Sequence, residues 1–191
     1  MSIFSNHPYL SLAILGGAAV LLISSCASSS RHSYKSAPYQ TSRSDGNFEI
    51  REYPATPVVQ TANDTDNSSF MRLFRYIGGA NAKKEKISMT TPVLMQDGKM
   101  QFVLPDDKKA NPPAPSADEV KLATLPARKV AVYQYSGSNS RSNETAALQK
   151  LKSWLAAQKL AYKDEPTVAY YDGPFTLPAM RRNEVMLPLT R

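Results

Sequence analysis

The chain has 191 residues, 23 basic and 16 acidic side chains, a formal net charge of +7, one cysteine and two histidines. A mean hydropathy of −0.38 with 20% charged residues excludes a polytopic membrane protein, and 42% apolar residues argue against a wholly disordered chain. One cysteine forms no intrachain disulfide, and without a CxxC or a Cys/His cluster there is no zinc site.

Residues 1–25 contain no Lys, Arg, Asp or Glu, so the whole net charge lies downstream. The apolar run Leu10 to Ile23 has 14 residues, short of the roughly 20 that a spanning helix needs but suited to the apolar region of a secretory signal. Ile23-Ser24-Ser25-Cys26 resembles the lipobox of bacterial lipoproteins. That resemblance implies cleavage before Cys26 and acylation of its sulfur and new amino group, with several acyl chains giving stable membrane anchoring. Ser25-Cys26-Ala27 also reads as a small-x-small site for ordinary signal cleavage, which would release a soluble chain. Ala27, where inner-membrane lipoproteins carry Asp, implies the outer membrane and a body facing the periplasm. Ala27 to Ser44 is Ser-rich without apolar periodicity and reads as a tether. The expected division is therefore a signal over 1–25, a lipidated cysteine and tether over 26–44, and a body over 45–191. His7 and His32 fall outside that body, which then holds no histidine.

Within the body, Phe48 to Tyr53 alternates apolar and polar side chains, and Thr56 to Thr61 is β-branched, predicting two strands joined by a tight connection. Phe70, Leu73, Phe74 and Ile77 recur at i, i+3, i+4 and i+7 before Gly78-Gly79, predicting an amphipathic helix with a glycine stop. Ile87 to Met95 and Met100 to Leu104 flank Asp97-Gly98 and predict a hairpin. After a Pro-rich loop, Val120 to Leu125 and Lys129 to Tyr135 predict two more strands. A helix follows, capped at Ser142 and buried through Leu148, Leu151, Trp154 and Leu155. Final strands are predicted over Thr167 to Tyr171 and Asn183 to Leu189. The order ββαββ therefore occurs twice, predicting an α+β body with an internal duplication and two helices packed on a curved antiparallel sheet or barrel.

Tyr76-Ile77-Gly78-Gly79-Ala80-Asn81, then Lys86-Ile87-Ser88-Met89-Thr90-Thr91-Pro92-Val93, resembles the central signature of the SOUL haem-binding family. Pro113-Ala114-Pro115, Tyr171-Asp172-Gly173-Pro174 and Arg181-Arg182-Asn183-Glu184-Val185 match it in the same order, so the resemblance runs from about Phe48 to Leu189. It implies a distorted antiparallel β-barrel flanked by two helices, related to bacterial effector-binding domains. It also implies haem or another tetrapyrrole as ligand, held in some members by histidine and in others on a shallow apolar surface near the first helix. With no histidine in the body, the resemblance directs attention to Phe70, Leu73 and Phe74 for apolar contact and to Arg72 and Arg75 for the propionates. The same stripe also reads as ordinary helix core. Met89, Met95, Met100, Met180, Met186 and the ten tyrosines include atoms able to bind iron, yet none is singled out. Arg181 to Glu184 reads either as a binding edge or as structure, with Glu184 pairing an arginine and Asn183 satisfying a turn.

Three function classes remain. Without body histidine or a free thiol, Ser-His-Asp and Cys-His catalysis are absent, and no Gly-rich phosphate loop occurs, so no enzyme is expected. Asp106-Asp107, Asp118-Glu119 and Asp164-Glu165 sit in loops and read as solvated surface. The alternative to a tetrapyrrole binder is an envelope lipoprotein binding an amphipathic ligand, a lipid or a protein partner without haem. Nucleic acid is not an expected partner, because the basic residues are dispersed without aromatic interleaving.

Overall fold

Side chains alternate across each strand, so a sheet with apolar residues at both parities must be covered on both faces. The computed structural model describes residues 34–64 and 68–190. In chain order these form β1 (Lys35–Ser36), β2 (Gln40–Asp45), β3 (Phe48–Tyr53), β4 (Thr56–Ala62), α1 (Ser68–Ile77), β5 (Thr90–Thr91), β6 (Val93–Gln96) and β7 (Lys99–Val103). The second half adds β8 (Lys121–Leu125), β9 (Arg128–Tyr135), α2 (Arg141–Ala157), β10 (Thr167–Tyr170) and β11 (Asn183–Pro188). Nine strands build one antiparallel sheet in the order β2-β3-β9-β11-β10-β6-β7-β4-β8, while β1 and β5 form a short parallel pair. The signal, Cys26 and His32 lie outside the described residues.

One face gathers Val58, Leu94, Val103, Val130, Val132 and Met186 into a single cluster with Ala37 and Tyr53. These come from strands far apart in the sheet order, so the sheet curls around this face. The opposite face carries two clusters. Ala131, Val185 and Leu187 meet Leu151, Trp154 and Leu155 of α2, and Val59, Phe102 and Leu104 meet Leu73, Tyr76 and Ile77 of α1. Each fully buried Leu, Ile or Phe contributes about 1.5–3 kcal/mol.

The curled sheet is not a closed barrel, which corrects that expectation. The edge strands β2 and β8 do not pair with each other, and every residue of β2 is exposed, so that edge supplies no buried apolar side chain to close the sheet. Four smaller differences have local causes. Pro92 follows Thr91 and interrupts the expected long strand from Ile87, leaving the two-residue β5 and the separate β6. β3 and β4 do not pair with each other; β3 joins β2 and β9, and β4 joins β7 and β8. Helix α2 is capped by Ser140, whose Oγ accepts from the Asn143 amide at 3.3 Å, two residues before the expected cap. Finally, β1 and all of β2 but its last residue lie inside the segment read as tether. Their pairing is carried by backbone hydrogen bonds, with Ala37 and Tyr39 as the apolar anchors, so no periodic pattern announces them.

Candidate functional site

Helix α1 is bound to the sheet by its apolar side and by one arginine. Leu73 is fully buried and Tyr76 nearly so. Arg72 donates from Nε to Thr61 Oγ1 at 2.9 Å, from Nη1 to Ser68 Oγ at 3.1 Å, and from Nη2 to the Ala62 carbonyl at 3.0 Å and Asp64 Oδ2 at 2.5 Å. This arginine, aided by the Ser68 hydroxyl, holds the Asp64 carboxyl below its ordinary range. Arg72 therefore joins the helix start to the end of β4. Of the five residues expected at a ligand surface, Leu73 belongs to the core and Arg72 is committed within the fold.

Phe74 and Arg75 have a different setting. Phe74 is 47% exposed and Met71, one turn before it, is 42% exposed. Arg75 is exposed and makes no ion pair among the described residues. Phe70 links this ridge to the core, stacking on Phe74 with ring centroids 5.8 Å apart and meeting Phe102 edge-on at 5.2 Å. The i, i+3, i+4 spacing of Met71, Phe74 and Arg75 sets two apolar side chains and a permanently charged planar cation on one outward strip. Sequence periodicity missed Met71, because it falls off the core stripe.

The signature residues around α1 serve architecture. Gly79 ends the helix at φ +114°, a conformation that a side chain would strain. Buried Asn81 donates to the carbonyls of Tyr76 at 3.0 Å and Glu85 at 2.7 Å, and its Oδ1 accepts from the amides of Lys83 and Glu85. Tyr76 donates its hydroxyl to the Pro113 carbonyl at 2.8 Å, fastening the Pro-rich loop to the helix.

A second concentration of charge lies on the inner face of the sheet. Glu184 is fully buried and Arg51 is 1% exposed. Glu184 Oε1 accepts from Arg51 Nη2 at 3.0 Å and from Arg182 Nε at 2.9 Å and Nη2 at 2.6 Å. Its Oε2 accepts from Arg51 Nη1 at 2.8 Å and the Tyr171 hydroxyl at 3.0 Å. Arg51 lies over the Tyr39 ring at 4.2 Å and Arg182 over the Tyr171 ring at 4.0 Å. Burial pushes the Tyr171 hydroxyl well above its ordinary value, and the Glu184 charge adds to this. Five donors saturate both carboxylate oxygens, so Glu184 has no lone pair left to act as a base or take a ligand. Asn183 beside it donates to the Gly137 carbonyl at 3.0 Å. Of the two readings of the Arg181 to Glu184 motif, the geometry matches the structural one.

The expected surface carboxylates are dispersed. Asp106 pairs with Lys109 and Asp164 with Lys152, while Asp118 and Glu119 are exposed. Among the described residues, no three His, Cys, Asp or Glu side chains are grouped to hold a metal ion.

The family model described as SOUL heme-binding protein matches residues 34–188. The chain belongs to the SOUL family. It is 27% identical over 155 residues to heme-binding protein 1 of Xenopus tropicalis, covering 72% of this chain and 81% of that one. Mouse heme-binding protein 1 is 29% identical over 154 residues, covering 74% and 78%. Mouse heme-binding protein 2 is 28% identical over 169 residues, covering 79% and 82%. Among solved structures, the EcmrR C-terminal domain superposes with a TM-score of 0.55 at 16% identity, covering 80% of this chain and 98% of that one. A structure described as a hydrolase from Listeria innocua gives 0.55 at 13% identity, covering 78% and 94%. At such identities these two matches establish a shared fold only. The SOUL match begins at position 34, and so includes β1 and β2.

Proposed function

We propose that this SOUL-family chain binds haem or a related tetrapyrrole non-covalently on the outward strip of α1, with Phe74, Met71 and the edge of Phe70 against the macrocycle and Arg75 at a propionate. Family membership and the relatives named heme-binding protein support the ligand class. The observation that carries the location is an exposed Phe74 next to an exposed arginine that makes no ion pair among the described residues. Such a strip fits the apolar face and anionic rim of haem, and with no histidine after His32 the body supplies contact and charge rather than imidazole ligation. The role is binding rather than turnover.

Cys26 is proposed as a lipid anchor that holds this body in a bacterial envelope, at the outer membrane facing the periplasm. The lipobox-like Ile23 to Cys26 supports that placement. The sheet order also supports descent by duplication of ββαββ. Read from β3 or from β8, it visits corresponding strands of the two halves in the same succession.

Titrating hemin into the full chain tests the ligand and its place together. The expected result is a saturating Soret band near one equivalent, with affinity about tenfold or more weaker in Phe74→Ser/Arg75→Ala, as lost apolar contact and one ion pair require. Linear, non-saturating absorbance that is equal in both proteins would overturn the proposal.

A further inference from the structure

The connection between β10 and β11 exposes its apolar side chains while bracing its own backbone. Phe175 is 99% exposed and Leu177 67%. Arg181 donates from Nε to the Thr176 carbonyl and from Nη2 to the Pro174 carbonyl, both at 2.8 Å. Asp172 Oδ2 accepts from the Arg182 amide at 2.6 Å, and the Gly137 amide donates to the Pro178 carbonyl at 2.9 Å. A loop held at both ends and across its middle loses little conformational entropy on docking. Phe175 and Leu177, the most exposed of its large apolar side chains, gain free energy by leaving water.

The position of this loop identifies what it meets. Tyr170 pairs with Asn183 and with Val93, so the loop leaves the sheet at the Val93 end of β6. Pro92 and β5 immediately precede Val93, and β5 pairs with Lys35 and Ser36. The chain thus enters the described body at the same end of the sheet from which Phe175 projects. Upstream of that entry lie Cys26 and the apolar run Leu10 to Ile23. The described residues carry 21 basic and 15 acidic side chains, a surplus of +6 that favours an anionic surface.

We infer that Phe175 and Leu177 form a wedge that enters the interface of an anionic lipid bilayer and sets which end of the body faces the membrane. This rests on the reading of Cys26 as a membrane anchor, which supplies the nearby bilayer, and it adds a second, oriented contact. Arg181 acts as a brace within the loop, placing positive charge at headgroup depth.

The test uses the full chain bound to phosphatidylcholine vesicles containing about one third phosphatidylglycerol. Phe175→Trp and, as a control on the edge strand β8, Leu122→Trp are compared, with the Trp154 emission of the unsubstituted chain subtracted. The expected result is a blue shift of the residue-175 signal, its loss with brominated acyl chains, and protection from aqueous iodide, none of which occurs at residue 122. Equal iodide quenching at residue 175 with and without vesicles overturns the wedge, as does identical lipid quenching at the two positions. A blue shift at residue 175 on concentrating the protein without lipid, or on adding hemin alone, also overturns it, assigning the loop to a second copy or to the tetrapyrrole. The mass of the chain recovered from a bacterial host reports acylation of Cys26 separately, so failure of the anchor and failure of the wedge are distinguished.

Discussion

Arg51 and Glu184, 133 positions apart, meet in a bidentate pair with Nη1 to Oε2 at 2.8 Å and Nη2 to Oε1 at 3.0 Å. Their strands, β3 and β11, flank β9 in the sheet, so the pair crosses the inner face of a third strand. Glu184→Gln would leave Arg51 and Arg182 facing a neutral amide. Removing one partner of a buried pair costs about 3–5 kcal/mol, so urea unfolding at neutral pH is expected to show a loss of that size. The double variant Arg51→Met/Glu184→Met is expected to lose less than the sum of its single variants, because it leaves neither charge of that pair stranded. Additive losses would mean that the two side chains are not energetically coupled.

The buried Tyr135 hydroxyl finds no hydrogen-bond partner among the described residues, and burial pushes it up to about 12, with the nearby Glu144 charge adding to the effect. In the unfolded chain a tyrosine ionises near its ordinary value of about 10. Below that pH both states hold the proton, and the stabilising contribution is complete. As pH rises from 10 through 12 the unfolded state releases its proton first, so stability falls. Tyr170 is raised in the same direction, by burial and by its hydrogen bond to Glu144 at 2.5 Å, which extends the loss to higher pH. Tyr135→Phe removes an unsatisfied buried hydroxyl. It is expected to raise stability at neutral pH by about 1 kcal/mol and to flatten part of the alkaline decline in urea unfolding.

The helices and most sheet strands were legible because their patterning is local. Leu73 and Ile77 mark α1, Leu151 and Leu155 mark α2, and Asp97-Gly98 marks the β6–β7 turn, with both residues at positive φ. Strand partnership was not legible, since β3 pairs with β9, about 80 residues onward, through side chains that any partner strand could match. The edge strand β2 escaped notice because none of its residues is buried. At the candidate site, Arg75 is exposed, and Phe74, which lies on the stripe that also reads as helix core, is exposed as well. Arg72 and Leu73 share the same helix but not its outward strip, and only the position of β4 against α1 separates the two pairs.

That separation makes Arg72 and Arg75 a matched comparison. Arg72 reaches Thr61, Ala62 and Asp64 of the strand side, whereas Arg75 is exposed without an ion pair among the described residues. Arg72→Ala is expected to cost about 1–2 kcal/mol in urea unfolding through lost hydrogen bonds that are partly screened by solvent, leaving hemin affinity nearly unchanged. Arg75→Ala is expected to leave the unfolding midpoint in place and weaken hemin binding about threefold to tenfold. The reverse pattern would assign the ligand contact to Arg72.

Anchoring through Cys26 has a chemical signature independent of the fold. A chain cleaved before Cys26 and acylated there incorporates labelled palmitate in a Gram-negative host, and Cys26→Ser is expected to abolish that label. Tyr34 lies eight positions after Cys26, so an extended backbone would reach at most about 28 Å from an acylated cysteine to the start of the described body. This span is about the thickness of the bilayer's own hydrocarbon core, so an anchor at Cys26 would keep the body close to the headgroups. Replacing Cys26 is expected to remove the label and to leave urea unfolding of the body unchanged. Palmitate incorporation that persists in Cys26→Ser would refute the anchor, because the chain has no other cysteine to carry a thioether-linked lipid.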